Sequence, residues 1–278
     1  MPAAIEVEGL RKRYGAHEAV RGIDFSVPRG EVFGLLGPNG AGKTTTVEIL
    51  EGYRERSGGV VRVLGEDPAD RSATLRARVG IVLQTSGIYR HLSVREVVRH
   101  WAGLYAAPRD VDETIAVAGL TEAADRRTRT LSGGQQRRLD FALALVGDPE
   151  LIFLDEPTTG FDPEARRNAW ETVRSLRDLG KTVLLTTHYL DEAQALADRV
   201  AIIKDGAILA EGPPSELGSP PRYRVRWLTG DGPVEHETDN PTALLHEASA
   251  TALARGEVLE QLSVTRPSLE DVYLELTA

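Results

Sequence analysis

Three short runs in this 278-residue chain combine residue types that act on phosphates. The first is Gly37-Pro38-Asn39-Gly40-Ala41-Gly42-Lys43-Thr44-Thr45, which fits the pattern G-x-x-x-x-G-K-[ST]. Glycines at this spacing let backbone N–H groups close around anionic oxygens, and a helix opening at the end of the run adds its N-terminus to the same point. In that setting Lys43 reaches the terminal phosphates and the Thr44 hydroxyl ligates Mg²⁺. The second run, Leu151-Ile152-Phe153-Leu154-Asp155-Glu156, puts two carboxylates at the end of a hydrophobic strand, where open α/β sheets hold their ligands. Asp155 is suited to hold Mg²⁺, directly or through water, and Glu156 to polarise a water against a γ-phosphate. The third run is Leu131-Ser132-Gly133-Gly134-Gln135. Ser132 can cap the helix that follows, and the two glycines expose N–H groups there, a second anion site. Taken alone, this third run is an ordinary helix cap.

The elements that must hold these runs follow from hydrophobic periodicity. Residues 1–30 read as β-rich, with alternation in Ile5-Glu6-Val7 and in Ile23-Asp24-Phe25-Ser26-Val27. A strand over 32–36 leads into the glycine run, and a helix over 44–53 leaves it. Residues 60–64 and 79–83 read as short strands. Residues 93–146 read as helical, with Val94, Val97, Val98, Trp101 and Tyr105 at helical spacing, then Leu139, Ala142, Leu143 and Val146. The apolar runs 151–154 and 183–187 suit a buried parallel sheet, and a helix over about 163–179 between them makes a βαβ crossover. Residues 200–203 form a further strand, and Asp205-Gly206 turns it into 207–209. Gly212-Pro213-Pro214 marks a boundary, and Gly218-Ser219-Pro220-Pro221 a second break. Beyond it come a strand over 223–227, a helix over 242–255, a strand over 258–264 and a helix over 268–276. This tail is small for an independent core.

Composition removes several function classes. With no cysteine there is no disulfide framework and no thiolate metal site. No apolar run reaches the ~18 residues that cross a bilayer, and no signal pattern opens the chain. The expectation is a soluble chain whose membrane role comes through a partner. The net charge is −9, and residues 213–278 hold 5 Arg against 11 Asp and Glu. Neither part has the basic surface that a nucleic-acid backbone requires, so no nucleic-acid partner is expected. The basic runs Arg11-Lys12-Arg13 and Gln136-Arg137-Arg138 read as solvated faces.

In order and spacing, the runs GPNGAGKTT, LSGGQ and LIFLDEP resemble those of the ATP-binding subunits of ABC transporters. Gln84 and His188, each after a strand, and Tyr14 upstream of the glycine run fit the same pattern. The resemblance implies an α/β fold, a P-loop NTPase of the ABC ATPase type. Its ATPase domain would span 1–212, with a helical subdomain at about 86–146 and a small C-terminal α+β appendage over 213–278. ATP and Mg²⁺ are the implied cofactors. Two copies, or this chain and a related subunit, would stack head to tail. Each ATP would then lie between Gly37–Thr45 of one copy and Ser132, Gly133, Gly134 and Gln135 of the other. Tyr14 would stack on adenine, Gln84 would join the Mg²⁺ and water shell, His188 would contact the γ-phosphate, and Glu156 would act as base with Lys43 holding charge. Thr159-Gly160-Phe161-Asp162 departs from the frequent Ser-Gly-Leu-Asp but keeps Asp162, implied in nucleotide binding and communication between subunits.

Two further runs are similar to drug-resistance and antibiotic (daunorubicin-type) export ATPases. They are Gly87-Ile88-Tyr89-Arg90-His91-Leu92-Ser93-Val94-Arg95-Glu96 and Arg266-Pro267-Ser268-Leu269-Glu270-Asp271-Val272-Tyr273-Leu274-Glu275-Leu276. The resemblance implies export of a drug, antibiotic or other hydrophobic compound through separate integral-membrane permease subunits. The chain would be cytoplasmic and peripheral on the inner face of the cell membrane. An importer ATPase and a soluble, non-transport ABC ATPase are the alternatives. The first usually carries a longer β-rich appendage, and the second tandem copies or long coiled-coil insertions.

Overall fold

Alternating residues at the start of the chain form two long strands, β1 (Ala3–Tyr14) and β2 (His17–Pro28), which pair antiparallel. The computed structural model describes residues 3–82, 90–217, 223–229, 232–265 and 269–277. In chain order there follow β3 (Val32–Leu36), α1 (Lys43–Leu50), β4 (Gly58–Val63), α2 (Ala73–Ala77) and β5 (Val79–Val82). Next come α3 (Val94–Ala102), α4 (Val111–Val117), α5 (Gly133–Leu145), β6 (Leu151–Asp155), α6 (Pro163–Asp178) and β7 (Thr182–Thr187). The chain continues with α7 (Leu190–Leu196), β8 (Arg199–Lys204), β9 (Ala207–Gly212), β10 (Tyr223–Thr229), β11 (Gly232–Thr238), α8 (Pro241–Ala254), β12 (Glu260–Thr265) and α9 (Leu269–Thr277).

These elements fall into two compact units, Met1–Glu211 and Gly212–Ala278. In the first, a six-stranded sheet runs in the order β5-β6-β7-β3-β8-β9. Pairing is parallel from β5 to β8. Parallel strands covered on both faces need continuous apolar sequence: every residue of β3 and β7 and the first four of β6 are buried. Asp205 and Gly206, both at positive φ, make the turn from β8 to β9, as a tight hairpin turn demands. A three-stranded sheet, β2-β1-β4, packs its apolar face into the same core, with Ile5, Val7, Leu10, Val20 and Val61 fully or nearly buried.

The segment expected as helical over 93–146 is three helices and two short 3₁₀ turns around their own core, which includes Val97, Val98, Ile115, Leu120, Leu139 and Val146. Ser93 opens α3 with a capping box to Glu96, and Asp110 opens α4 by accepting from the N–H groups of Asp112 and Glu113. The first-turn donors of both helices are thus satisfied by side chains. The helix expected to Tyr53 ends at Leu50, because the chain turns at Gly52 (φ 78°), where a Cβ would lie 2.5 Å from the Pro68 carbonyl.

In the second unit β10 is the central strand between β11 and β12. Val225 and Trp227 are buried while Arg226 between them is exposed, and the Trp227 ring stacks on His236 of β11. β11 was not expected, since Gly-Pro-Val-Glu-His-Glu-Thr has no apolar face of its own. β12 begins at Glu260 rather than Val258, which is 78% exposed just after the Gly256 turn. Among the described residues, no helix is long and apolar enough to cross a membrane.

Candidate active site

Three neighbouring strand ends build the site. In the order β6-β7-β3, the strands stand side by side and parallel, and Leu36 is level with Thr187 while Asp155 is level with Thr186. The glycine run leaves β3 and the carboxylates leave β6. His188 follows β7.

The run 37–42 wraps tightly against its neighbours before α1 begins at Lys43. Gly37 donates its N–H to the Thr187 carbonyl (3.2 Å), and Gly206 N–H donates to the Ala41 carbonyl (3.0 Å). A Cβ on Gly37 would come 2.1 Å from the Ile203 carbonyl oxygen. Gly42 caps α1 at φ 105°, where a side chain is strained, and its Cβ would meet the Ala19 carbonyl at 2.6 Å. Both positions therefore require glycine. Pro38 is half-buried, Asn39, Gly40 and Thr44 are exposed, Ala41 is buried and Thr45 is half-buried.

Lys43 is only 4% exposed and donates from Nζ to the carbonyls of Gly37 (2.8 Å) and Pro38 (3.2 Å). Burial lowers its pKa, with the Glu156 carboxylate opposing that shift. Nζ lies 3.4 Å from Glu156 Oε1, and His188 Nδ1 lies 3.3 Å from the same oxygen. Thr159 Oγ1 donates to Glu156 Oε2 at 3.0 Å. Burial pushes the Glu156 carboxyl up, but the Thr159 hydrogen bond, the Lys43 charge and His188 outweigh it, and the net shift is downward. Glu156 is thus held as a carboxylate. Its backbone sits in the left-handed region at φ 44°, a conformation rarely adopted by a side-chain-bearing residue.

Thr186, fully buried on β7, couples the two acids: its hydroxyl donates to Asp155 Oδ1 (2.6 Å) and accepts the Glu156 N–H (2.9 Å). Thr186 is unmarked in the sequence, because a threonine inside an apolar strand has no distinguishing pattern. Thr159 is likewise unmarked as a partner of Glu156.

Other expected site residues stand apart from this group. Ser132 and Gln135 form a capping box at the start of α5, with Ser132 Oγ accepting the Gln135 N–H (3.3 Å) and Gln135 Oε1 accepting the Ser132 N–H (3.1 Å). Gly133 and Gly134 are the first two residues of that helix. No hydrogen bond or ion pair joins these four residues to 37–45 among the described residues. Asp162 caps α6 by accepting from Glu164 and Ala165 N–H groups (3.0 and 2.8 Å), with Pro163 at the first helical position. Tyr14, 41% exposed at the end of β1, lies beneath the Lys12 ammonium and the Arg54 guanidinium (5.1 and 5.4 Å to the ring centroid). Gln84 lies outside the described residues, as do Gly87, Ile88, Tyr89, Arg266, Pro267 and Ser268.

A cleft of about 760 Å³ opens near the far end of α1. Glu51, Tyr53, Arg76, Trp101, Tyr105 and Asp140 are among the residues that line it.

This arrangement can hold a triphosphate at the 37–45 loop and align a water against it from Glu156. The chain matches the ABC transporter family over residues 20–159. It is 40% identical to the daunorubicin/doxorubicin resistance ATP-binding protein DrrA of Streptomyces peucetius, over 99% of this chain and 92% of that protein. It is 39% identical to a fluoroquinolones export ATP-binding protein of Mycobacterium tuberculosis, over 98% and 93%. Among solved structures it is similar to cbiO1 of Clostridium perfringens, part of the ABC transporter complex cbiONQ, with a TM-score of 0.71 and 30% identity over 78% of this chain and 90% of that one. Strand ends, glycine loop and relatives agree: the chain belongs to the ABC transporter family, as an ATP-binding subunit that hydrolyses ATP.

Proposed function

We propose that this chain drives export of a drug, antibiotic or other hydrophobic compound through separate permease subunits, working as a head-to-tail pair with itself or a related subunit at the inner face of the membrane. The export names carried by its full-length relatives support this direction over import.

The single observation that carries the chemistry is the Glu156 carboxylate poised 3.4 Å from Lys43 and 3.3 Å from His188. Phosphoryl transfer asks the protein to position groups and to neutralise charge. The 37–45 N–H groups and Lys43 hold the phosphates, Lys43 exchanging its carbonyl partners for phosphate oxygens. Glu156 takes the proton of the attacking water, and His188 contacts the γ-phosphate. Tyr14 stacks on adenine. Ser132, Gly133, Gly134, Gln135 and Asp162 act on the nucleotide of the opposite subunit.

Thr44, Asp155 and Gln84 would hold Mg²⁺. The exposed Thr44 hydroxyl and the Asp155 carboxylate are hard oxygen donors, the chemistry Mg²⁺ requires. Among the described residues no three His, Cys, Asp or Glu side chains cluster as a site sufficient by itself, which fits an ion that keeps waters and takes phosphate oxygens. When bound, Mg²⁺ would supply neutralisation of the phosphates' negative charge.

The test is Glu156→Gln in the full-length chain. ATP affinity is retained and steady-state hydrolysis falls ~10²- to 10⁴-fold, the usual cost of losing a positioned base. Near-normal turnover in this variant rejects Glu156 as the base.

A further inference from the structure

Two buried charged side chains outside the site grip the pair of residues that follows Glu156. Glu192 lies on α7, four residues beyond His188, and is 1% exposed. Its Oε1 accepts from Thr158 Oγ1 (2.8 Å) and from Trp170 Nε1 on α6 (3.2 Å). Arg137, 6% exposed on α5, donates from Nε to the Pro157 carbonyl at 3.2 Å. Pro157 and Thr158 are themselves buried. The pair of residues just after the base is thus hydrogen-bonded to two helices. One is the helix opened by Ser132 and the other is the helix that starts two residues after His188.

Such a grip is costly as a stabilising device. Burial raises the Glu192 carboxyl, partly offset by the Thr187 and Thr158 hydroxyls, Trp170 and Arg166, and burial lowers the Arg137 guanidinium, partly offset by Asp140, Asp155 and Glu192. Apolar side chains of similar volume serve stability as well or better at such places. What an oriented polar grip supplies, and apolar packing does not, is direction. Direction matters here because Glu156 is held in the left-handed region, and such a conformation persists only where its surroundings over-determine it.

We propose that Glu192, with Arg137, is a positioning residue for hydrolysis: through Thr158 and Pro157 it fixes the Glu156 carboxylate against Lys43 and His188, and it ties the attitude of α5 to that of α7. A shift of α5, which carries Ser132 to Gln135 towards the opposite nucleotide, is thereby passed to the base and to His188 in the same movement. The inference rests on the reading of Glu156 as base.

The experiment compares Glu192→Ala, Glu192→Gln, Thr158→Val and Glu192→Ala/Thr158→Val in the full-length chain, with Glu156→Gln alongside. Misplacing a catalytic group by about an ångström costs up to ~100-fold. Glu192→Ala should therefore lose about tenfold or more in kcat with KM for ATP essentially unchanged. Glu192→Gln, whose amide oxygen still accepts from Thr158 and Trp170, should restore most of it. The double variant should be no slower than Glu192→Ala alone, since both changes cut one link. Should Glu192→Ala fail to fold, Thr158→Val, which keeps shape and removes only the donor, carries the test with the same kcat loss. Wild-type kcat in Thr158→Val, a loss confined to KM, or fully additive losses would overturn the positioning role. An inert Glu156→Gln beside those results leaves the base assignment standing, whereas an active one fails that assignment independently.

Discussion

At the end of α1, Glu51 faces the cleft on the side away from the glycine loop. Burial, with the charges of Asp155 and Glu48 nearby, pushes its carboxyl up to about 8 from 4.5. Across that interval the folded chain holds a proton that the unfolded chain has released, so stability falls as pH rises from 4.5 through about 8. Glu51→Gln removes the penalty. In the nucleotide-free protein, its Tm advantage over the parent should widen between about pH 5.5 and about pH 8.5. Thermal melts at several pH values check this, and a gap that does not change with pH refutes it. Lys43, Asp155 and Glu156 were marked as candidates in the sequence by spacing and strand ends, and His188 only by the family resemblance. Glu51, Glu192, Arg137 and Thr186 were not. A single polar residue inside a helix or apolar strand carries no pattern, and only the packing around it gives it a partner.

Among the elements, α3 and α5 open with the same device, a serine reciprocally bonded to the residue three positions on. Losing a serine cap costs ~1 kcal/mol, so Ser93→Ala and Ser132→Ala should lower Tm alike. Only Ser132→Ala should also slow ATP hydrolysis, because the proposed role of its helix end is to face a nucleotide. Parallel melts and turnover assays separate the two, and equal turnover in both variants would reduce Ser132 to a cap. The parallel strands could be read from their unbroken apolar runs. The β1–β2 hairpin could be read only in fragments, because register shifts near Ala3, Val7, Leu10 and Lys12 interrupt its alternation. β11 escaped altogether: its side chains are mostly exposed, and its pairing with β10 is a backbone matter that side-chain polarity does not announce.

For the whole molecule, the division at 211/212 leaves the glycine loop, both carboxylates and His188 within the first unit. The second unit carries large apolar residues that are exposed, among them Leu253, Val258, Leu262 and Leu274, side chains open to contact with a partner. Deleting residues 213–278 should therefore leave ATP affinity within about threefold while reducing capture of a polytopic membrane protein from mild-detergent extracts. Nucleotide titration and mass spectrometry of the captured material measure the two effects. Complete loss of ATP affinity would show that the tail is needed to form the site.

The central place of β3, β6 and β7 in the six-stranded sheet has one more consequence. Their amides, over 33–36, 152–155 and 183–187, lie in strands buried almost throughout, and buried central strands open only when the whole unit opens. Deuterium uptake at these positions should track global unfolding, while the exposed tip at Asn39-Gly40 exchanges freely. The floor of the nucleotide site and the last part of the first unit to unravel are then the same strands. Under rising denaturant, ATPase activity should be lost no later than the fold.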